Sequence, residues 1–184
     1  MIESFAGIDP SLRRAGLAIL QDTSVFADSI RVAEDCRGAE RLDKIGAWYE
    51  KHLKNVLRPC CVAMEGPSLG STHREFDLGE ASGVIKAVVW RRLQVEPVIV
   101  PPTVLKSFTT GNPMADKGAM LHAVKTVWGF ETDDDNAADA LALAYFARAL
   151  REVRLVRRCE AEAIHSFLHP KIRRPRAKRN PQNI

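Results

Sequence analysis

At 184 residues the chain is long enough for one domain with a full hydrophobic core and too short for two comfortable ones. Hydrophobic residues make up 46% and charged residues 27%, a balance that folds and that excludes a disordered or low-complexity protein. No apolar run approaches the ~20 residues that span a bilayer, and the start MIESFAGID lacks a signal peptide's basic-then-apolar layout, so the expected location is the cytoplasm.

Residues 4–8 are short and apolar and run into Asp9-Pro10, a strand ending in a turn. Residues 16–20 and 25–32 read as two further strands of an antiparallel meander, with Arg13 and Arg14 in the first connection. Leu42, Ile45, Trp48 or Tyr49, Leu53 and Val56 recur at helical spacing, predicting a helix over 39–56 that Pro59 ends. Residues 60–64 form a compact strand with Glu65 at its carboxyl end. A long helix over 74–93, a strand over 95–100 stopped by Pro101 and Pro102, and a short helix over 103–108 follow. Another helix opens at Met114 or Ala115 and runs to about Trp128, with Gly129 suited to its cap. Asp133, Asp134 and Asp135 precede a helix over 137–154, where acids complement the macrodipole, and 157–167 form one more short helix.

Three antiparallel strands followed by alternating helices and strands imply an α/β fold, a mixed five-stranded sheet flanked by helices on both faces. Right-handed crossovers favour residues 60–64 lying parallel to the first strand and beside it, which makes Asp9 and Glu65 neighbours. Asp139 lies in the first turns of the last long helix, within Ala137-Ala138-Asp139-Ala140-Leu141-Ala142, where a lone acid faces a cleft or bears a burial penalty. Clustered carboxylates repel one another unless a cation neutralises them, and magnesium or manganese prefers such hard oxygen ligands. Two such ions ~4 Å apart suit phosphodiester hydrolysis. Taken singly, Asp9 is an ordinary turn residue, Glu65 a solvated strand end and Asp139 a surface acid.

Four segments in order carry a resemblance. Gly7-Ile8-Asp9-Pro10-Ser11 with Gly16, Ala63-Met64-Glu65, Leu78-Gly79-Glu80-Ala81-Ser82-Gly83-Val84, and the run from Ala137 to Ala144 together resemble the motifs of RuvC Holliday-junction resolvases. The resemblance covers residues 1 to about 150 and extends to phage-encoded members in brevity and basicity. It implies a ribonuclease H-like domain over 1–155 with a basic extension over 156–184, a homodimer, two Mg2+ or Mn2+ ions per site, and cleavage of four-way and other branched DNA. Two active sites on one two-fold axis match the approximate symmetry of a junction. Gly79 and Gly83 lie one turn apart and either allow close helix approach across a dimer or pack on the sheet.

Under this resemblance Asp9, Glu65, Asp139, Asp135 and Lys117 are the candidate catalytic residues, and Lys106 aligns with a second basic position near the scissile phosphate. The family places a metal-facing aspartate or histidine where this chain has Asn136. Asp135, four residues before Asp139 on the same helical face, substitutes in one reading; Asn136 is a weak ligand or an inactivating change in the other, and Asp135 is preferred. The loop after Glu65 lacks the family's aromatic wedge and offers Leu69 instead. Arg13, Arg14, Arg74 and the tail residues Lys171, Arg173, Arg174, Arg176, Lys178 and Arg179 complete the candidate DNA-binding set; the tail adds sequence-independent affinity that weakens with salt. A broad flap and fork nuclease and a catalytically weak branched-DNA-binding protein are the competing readings. An actin-like ATPase is set aside, because the chain has neither a second nucleotide-binding half nor phosphate-binding glycine loops. The four cysteines form no CxxC pair and read as reduced, buried or neutral thiols.

Overall fold

β1 (Ser4–Asp9) is buried at every position, as an interior strand covered on both faces must be. In the computed structural model, whose described residues are 3–54, 56, 59–67, 75–152 and 157–170, it is the centre of a five-stranded sheet. β2 (Arg14–Gln21) pairs antiparallel with β1, and β3 (Ser24–Arg31) antiparallel with β2, giving the expected meander. After α1 (Gly38–Leu53), β4 (Pro59–Glu65) returns parallel to β1 on its other side. α2 (Glu75–Leu93) leads to β5 (Val98–Val100), parallel to β4, so the order is β3-β2-β1-β4-β5. α3 (Pro102–Thr110), α4 (Lys117–Trp128), α5 (Asp135–Arg151) and α6 (Arg158–Leu168) follow.

Alternation along the strands divides the core in two. Phe5, Ala18, Leu20, Cys61 and Ala63 face α5, while Ala6, Ile8, Leu17, Val62 and Met64 face α1 and α2. α5 approaches the sheet unusually closely. A Cβ on Gly7 would stand 2.0 Å from the Ala140 carbonyl oxygen, and one on Gly16 would stand 2.2 Å from the Asn136 carbonyl oxygen. Ala163 and Ile164 of α6 enter the α5-side core, and Phe167 meets Phe146 edge-on at 5.3 Å. α6 therefore belongs to the folded body, although the sequence reading assigned residues 156–184 to an extension.

Several boundaries differ from the sequence reading for local reasons. α4 starts at Lys117 rather than near residue 114, because the Asp116 side chain accepts from Ala119 N and caps it. α5 starts at Asp135 rather than 137, with Asp134 accepting from Asn136 N and Ala137 N. β5 is three residues long, since Pro97 brings no N–H to a ladder. α1 ends at Leu53, well before Pro59. Gly129, with φ 68°, caps α4 as expected.

Candidate active site

Parallel pairing of β1 and β4 puts Asp9 and Glu65 at the same end of adjacent strands, and their side chains hydrogen-bond to each other. α5 crosses this end with Asp139 in its second turn, close enough for Glu65 to raise the proton affinity of Asp139 and for both to raise that of Asp9. Asp135, one turn earlier, forms an ion pair with Lys117 at the start of α4. Lys106 in α3 acts electrostatically on Glu65 and Asp139. Among the described residues no three acidic, histidine or cysteine side chains meet in metal-ligating geometry. The short-range contacts are pairwise: Asp9 and Glu65 hold each other, and Lys117 holds Asp135.

Burial dominates the electrostatics. It raises Asp9 well above the usual carboxylate range, reinforced by Glu65, Asp139 and Asp135. Glu65 is raised by burial, while its hydrogen bond with Asp9 and the charge of Lys106 pull it back. Burial, then Glu65 and Asp135, push Asp139 up to about 7 against the opposing pull of Lys106 and Lys117. Asp134 moves the other way, because hydrogen bonds from Ser29, Asn136 and the start of α5 outweigh its burial. A set of hard oxygen donors that hold protons for want of positive charge fits a divalent cation.

Residues 5–146 match the family model described as crossover junction endodeoxyribonuclease RuvC. The chain belongs to that family. A RuvC protein of Nocardia farcinica is 32% identical over 170 residues, covering 85% of this chain and 86% of its own length. The RuvC protein of Mycobacterium ulcerans is 30% identical over 151 residues, 75% of this chain and 79% of its own. Thermus thermophilus RuvC shares the fold at 23% identity, with a TM-score of 0.63 over 81% of this chain and 96% of its own. A second structure of that protein, in complex with a Holliday junction substrate, gives a TM-score of 0.65 over 78% of this chain and 90% of its own. None of these relatives is a phage protein, and the phage-type expectation finds no support in them.

The structure sorts the remaining candidates from the RuvC resemblance. Asn136 donates through Nδ2 to Asp134 Oδ1 at 3.2 Å and to Asp135 Oδ1 at 3.3 Å, so its amide braces two aspartates. Arg13, expected among the DNA contacts, is a strut. Its guanidinium donates to the carbonyls of Ala33 at 2.5 Å, Glu34 at 2.9 Å and Cys36 at 3.1 Å. Arg14 opens β2, directly opposite Arg31 of β3. Gly79 and Gly83 do not pack on the sheet, since a Cβ at either would meet nothing within 4 Å among the described residues. Leu69, Arg74, Lys171, Arg173, Arg174, Arg176, Lys178 and Arg179 lie outside the described residues. Two site neighbours went unread in the sequence. Tyr49, counted there as an apolar helix position, is buried and donates to the Gly16 carbonyl at 2.7 Å, opposite Asp9 in the β1–β2 register. Ser29 donates to Asp134, tying β3 to the cap of α5.

Proposed function

We propose that this RuvC-family chain is a metal-dependent endonuclease that cleaves four-way (Holliday) junctions and other branched DNA by phosphodiester hydrolysis. The observation that carries this is that Asp9, Glu65 and Asp139, from β1, β4 and α5, lie at one end of the sheet, close enough for Glu65 to act on both aspartates and Asp139 on Asp9. RuvC enzymes are generally metal-dependent, which accords with a donor set that lacks positive charge. Asp9, Glu65, Asp139 and Asp135 would hold two Mg2+ or Mn2+ ions, with Asn136 as a brace for Asp135 rather than a ligand. The chemistry such ions supply is activation of a water and stabilisation of the leaving oxygen.

The chain's own groups do the positioning. The Lys117 side chain is 82% exposed, and its ammonium is free to turn from Asp135 to a substrate phosphate. Lys106, in α3, offsets charge at Glu65 and Asp139. Asp134 caps α5 and so fixes Asp139 in the helix's second turn. Leu69 would wedge at the branch, and Arg74 and the basic tail would bind backbone.

A homodimer fits the exposed face of α2. Phe76 is 78% exposed and Trp90 51% exposed, and Gly79 and Gly83 lie open between them. A second copy of α2 would approach closely there and set two sites on one two-fold axis. No helix of the described residues is long and apolar enough to cross a membrane, and the proposed role places the chain in the cytoplasm with DNA.

The test incubates a labelled four-way junction, a flap and a linear duplex with the protein in magnesium or manganese, beside Glu65→Gln. Paired nicks near the junction centre, absent in the variant, are expected. Equal cutting of flap and junction would move the assignment to a broad structure-selective nuclease. Junction binding without cleavage in either metal would leave only a branched-DNA-binding protein.

A further inference from the structure

Beyond the acids, the same end of the sheet carries a groove of about 590 Å3 lined by Arg13, Arg14, Arg31 and Arg37, with Val32, Ala33 and Glu34. Glu34 is the one carboxylate among these lining residues. Arg13 is committed to the carbonyls of residues 33, 34 and 36, which fixes the wall of the groove. No hydrogen bond or ion pair with a described residue engages the guanidinium of Arg14, Arg31 or Arg37. Arg14 and Arg31 are also direct cross-strand partners. Like charges directly opposite each other on a sheet are destabilising, so this pairing is paid for unless an anion lies between them. The adjoining cavity of about 430 Å3 adds Arg41 but also Asp77 and Glu80, so the larger excess of positive charge lies in the first groove.

Location identifies the anion. Asp9 pairs with Gly16, two residues from Arg14 along β2, and Arg31 lies one strand further out. At ~3.3 Å per residue and ~4.8 Å between strands, the two arginine backbones lie roughly 8–12 Å from that of Asp9. On a strand rising ~3.4 Å per nucleotide, that separation keeps both arginines within a few phosphates of the scissile one. Arginine forks hold phosphate oxygens in pairs, and several of them in a row suit a backbone rather than a single free anion.

We propose that Arg14, Arg31 and Arg37 form a phosphate-binding rim that seats one arm of the branched DNA within a few phosphates of the scissile one. The proposal rests on the nuclease reading above and adds to it a fixed path for the arm. Arg13 acts here as a positioning residue, holding the 33–36 segment against which Arg37 stands.

The experiment measures junction affinity without divalent metal over a series of salt concentrations. It compares the wild type, Arg14→Gln/Arg31→Gln, Arg14→Lys/Arg31→Lys, and Lys125→Gln, whose lysine is ion-paired to Glu131 in the wild type. Each phosphate lost should reduce the slope of log affinity against log salt by about 0.9, which is about eightfold in affinity at 0.1 M salt. The glutamine double variant should lose one or two such steps, and in magnesium its KM should rise with kcat at saturating junction nearly unchanged. The lysine double variant should keep the wild-type slope, as should Lys125→Gln. An unchanged slope in the glutamine variant would overturn the rim, and so would an equal loss in the lysine variant, which would signal damage to the fold. A wild type that binds but never cuts, with the slope still falling in the glutamine variant, would overturn the nuclease reading and uphold the rim. A wild type that cuts, with the slope unmoved, would do the reverse.

Discussion

Replacing Asp139 by asparagine should stabilise the metal-free protein while abolishing cleavage. Asp139 has its pKa pushed up to about 7, first by burial and then by Glu65 and Asp135. An unfolded aspartate titrates near its ordinary value of 3.8. The folded state therefore holds this proton about three pH units longer, worth about 4 kcal/mol at ~1.36 kcal/mol per unit. The sign is set by which state binds the proton. Below about pH 4 both states are protonated and nothing is lost. Between about pH 4 and 7 the unfolded state ionises while the folded state does not, so stability falls as pH rises, and above about 7 the loss is complete. Asparagine has nearly the same shape and does not ionise, so it should escape this penalty. For a chain of this size, about 4 kcal/mol corresponds to roughly 8–16 °C in melting temperature.

The assay is thermal unfolding of both proteins in chelator across pH 5 to 8, repeated with magnesium. The variant should melt higher at pH 8, the gap should shrink towards pH 5, and magnesium should narrow it by stabilising the wild type alone. A variant that melts at or below the wild type at pH 8, or a gap that ignores pH, would refute the reasoning. Either result would mean that the acid is neither buried nor short of positive charge in the folded chain.

Other perturbations separate fold from chemistry. Gly7→Ala places a methyl 2.0 Å from the Ala140 carbonyl oxygen and should destabilise by about 3 kcal/mol or more; a urea titration showing under ~1 kcal/mol would mean that α5 does not lie on β1. Lys117→Ala removes an exposed ion pair, so stability should move by no more than ~1 kcal/mol, while single-turnover cleavage should fall by about 10²- to 10³-fold. Asp135→Asn should slow cleavage and raise the magnesium needed for half-maximal rate, whereas Asn136→Asp should leave both near wild type; the opposite pattern would put the fourth ligand at position 136.

Much of the architecture was legible because periodicity and chain topology encode it. The short apolar runs of β1 and β4 and the handedness of the crossover were enough to make Asp9 and Glu65 neighbours. Boundaries were less legible where a side chain decides them. Asp116 and Asp134 are capping residues, yet the apolar pattern alone placed one helix start early and the other late. The structural role of Arg13 was not legible because its partners are backbone carbonyls 20 and more residues away, which no side-chain pattern records. Tyr49 illustrates the same limit, its hydroxyl reaching from α1 to the carbonyl of Gly16 on β2. The glycines divide in a way the sequence could not foresee. Gly7 and Gly16 admit the backbone of α5, whereas Gly79 and Gly83 meet nothing among the described residues.

The depth of α5 is what joins stability to chemistry. An aspartate carboxylate stands only one carbon from its backbone, so Asp139 reaches the Asp9–Glu65 pair only if the helix itself rests on the strands. Gly7 and Gly16 remove the side chains that would hold it away, and the buried alanines of α5 keep the layer between helix and sheet thin. That approach also excludes water from the acids, which raises their proton affinity and creates the penalty at Asp139. Leu141, Leu143 and Phe146 on the same helix are fully buried, and each contributes about 1.5–3 kcal/mol by burial. Together they exceed the about 4 kcal/mol lost at Asp139, so the helix stays docked with its acid unneutralised. The hydrophobic face of α5 therefore holds the acids together and short of positive charge, and a polar residue at Leu141 or Leu143 would damage catalysis by undocking the helix that carries Asp139.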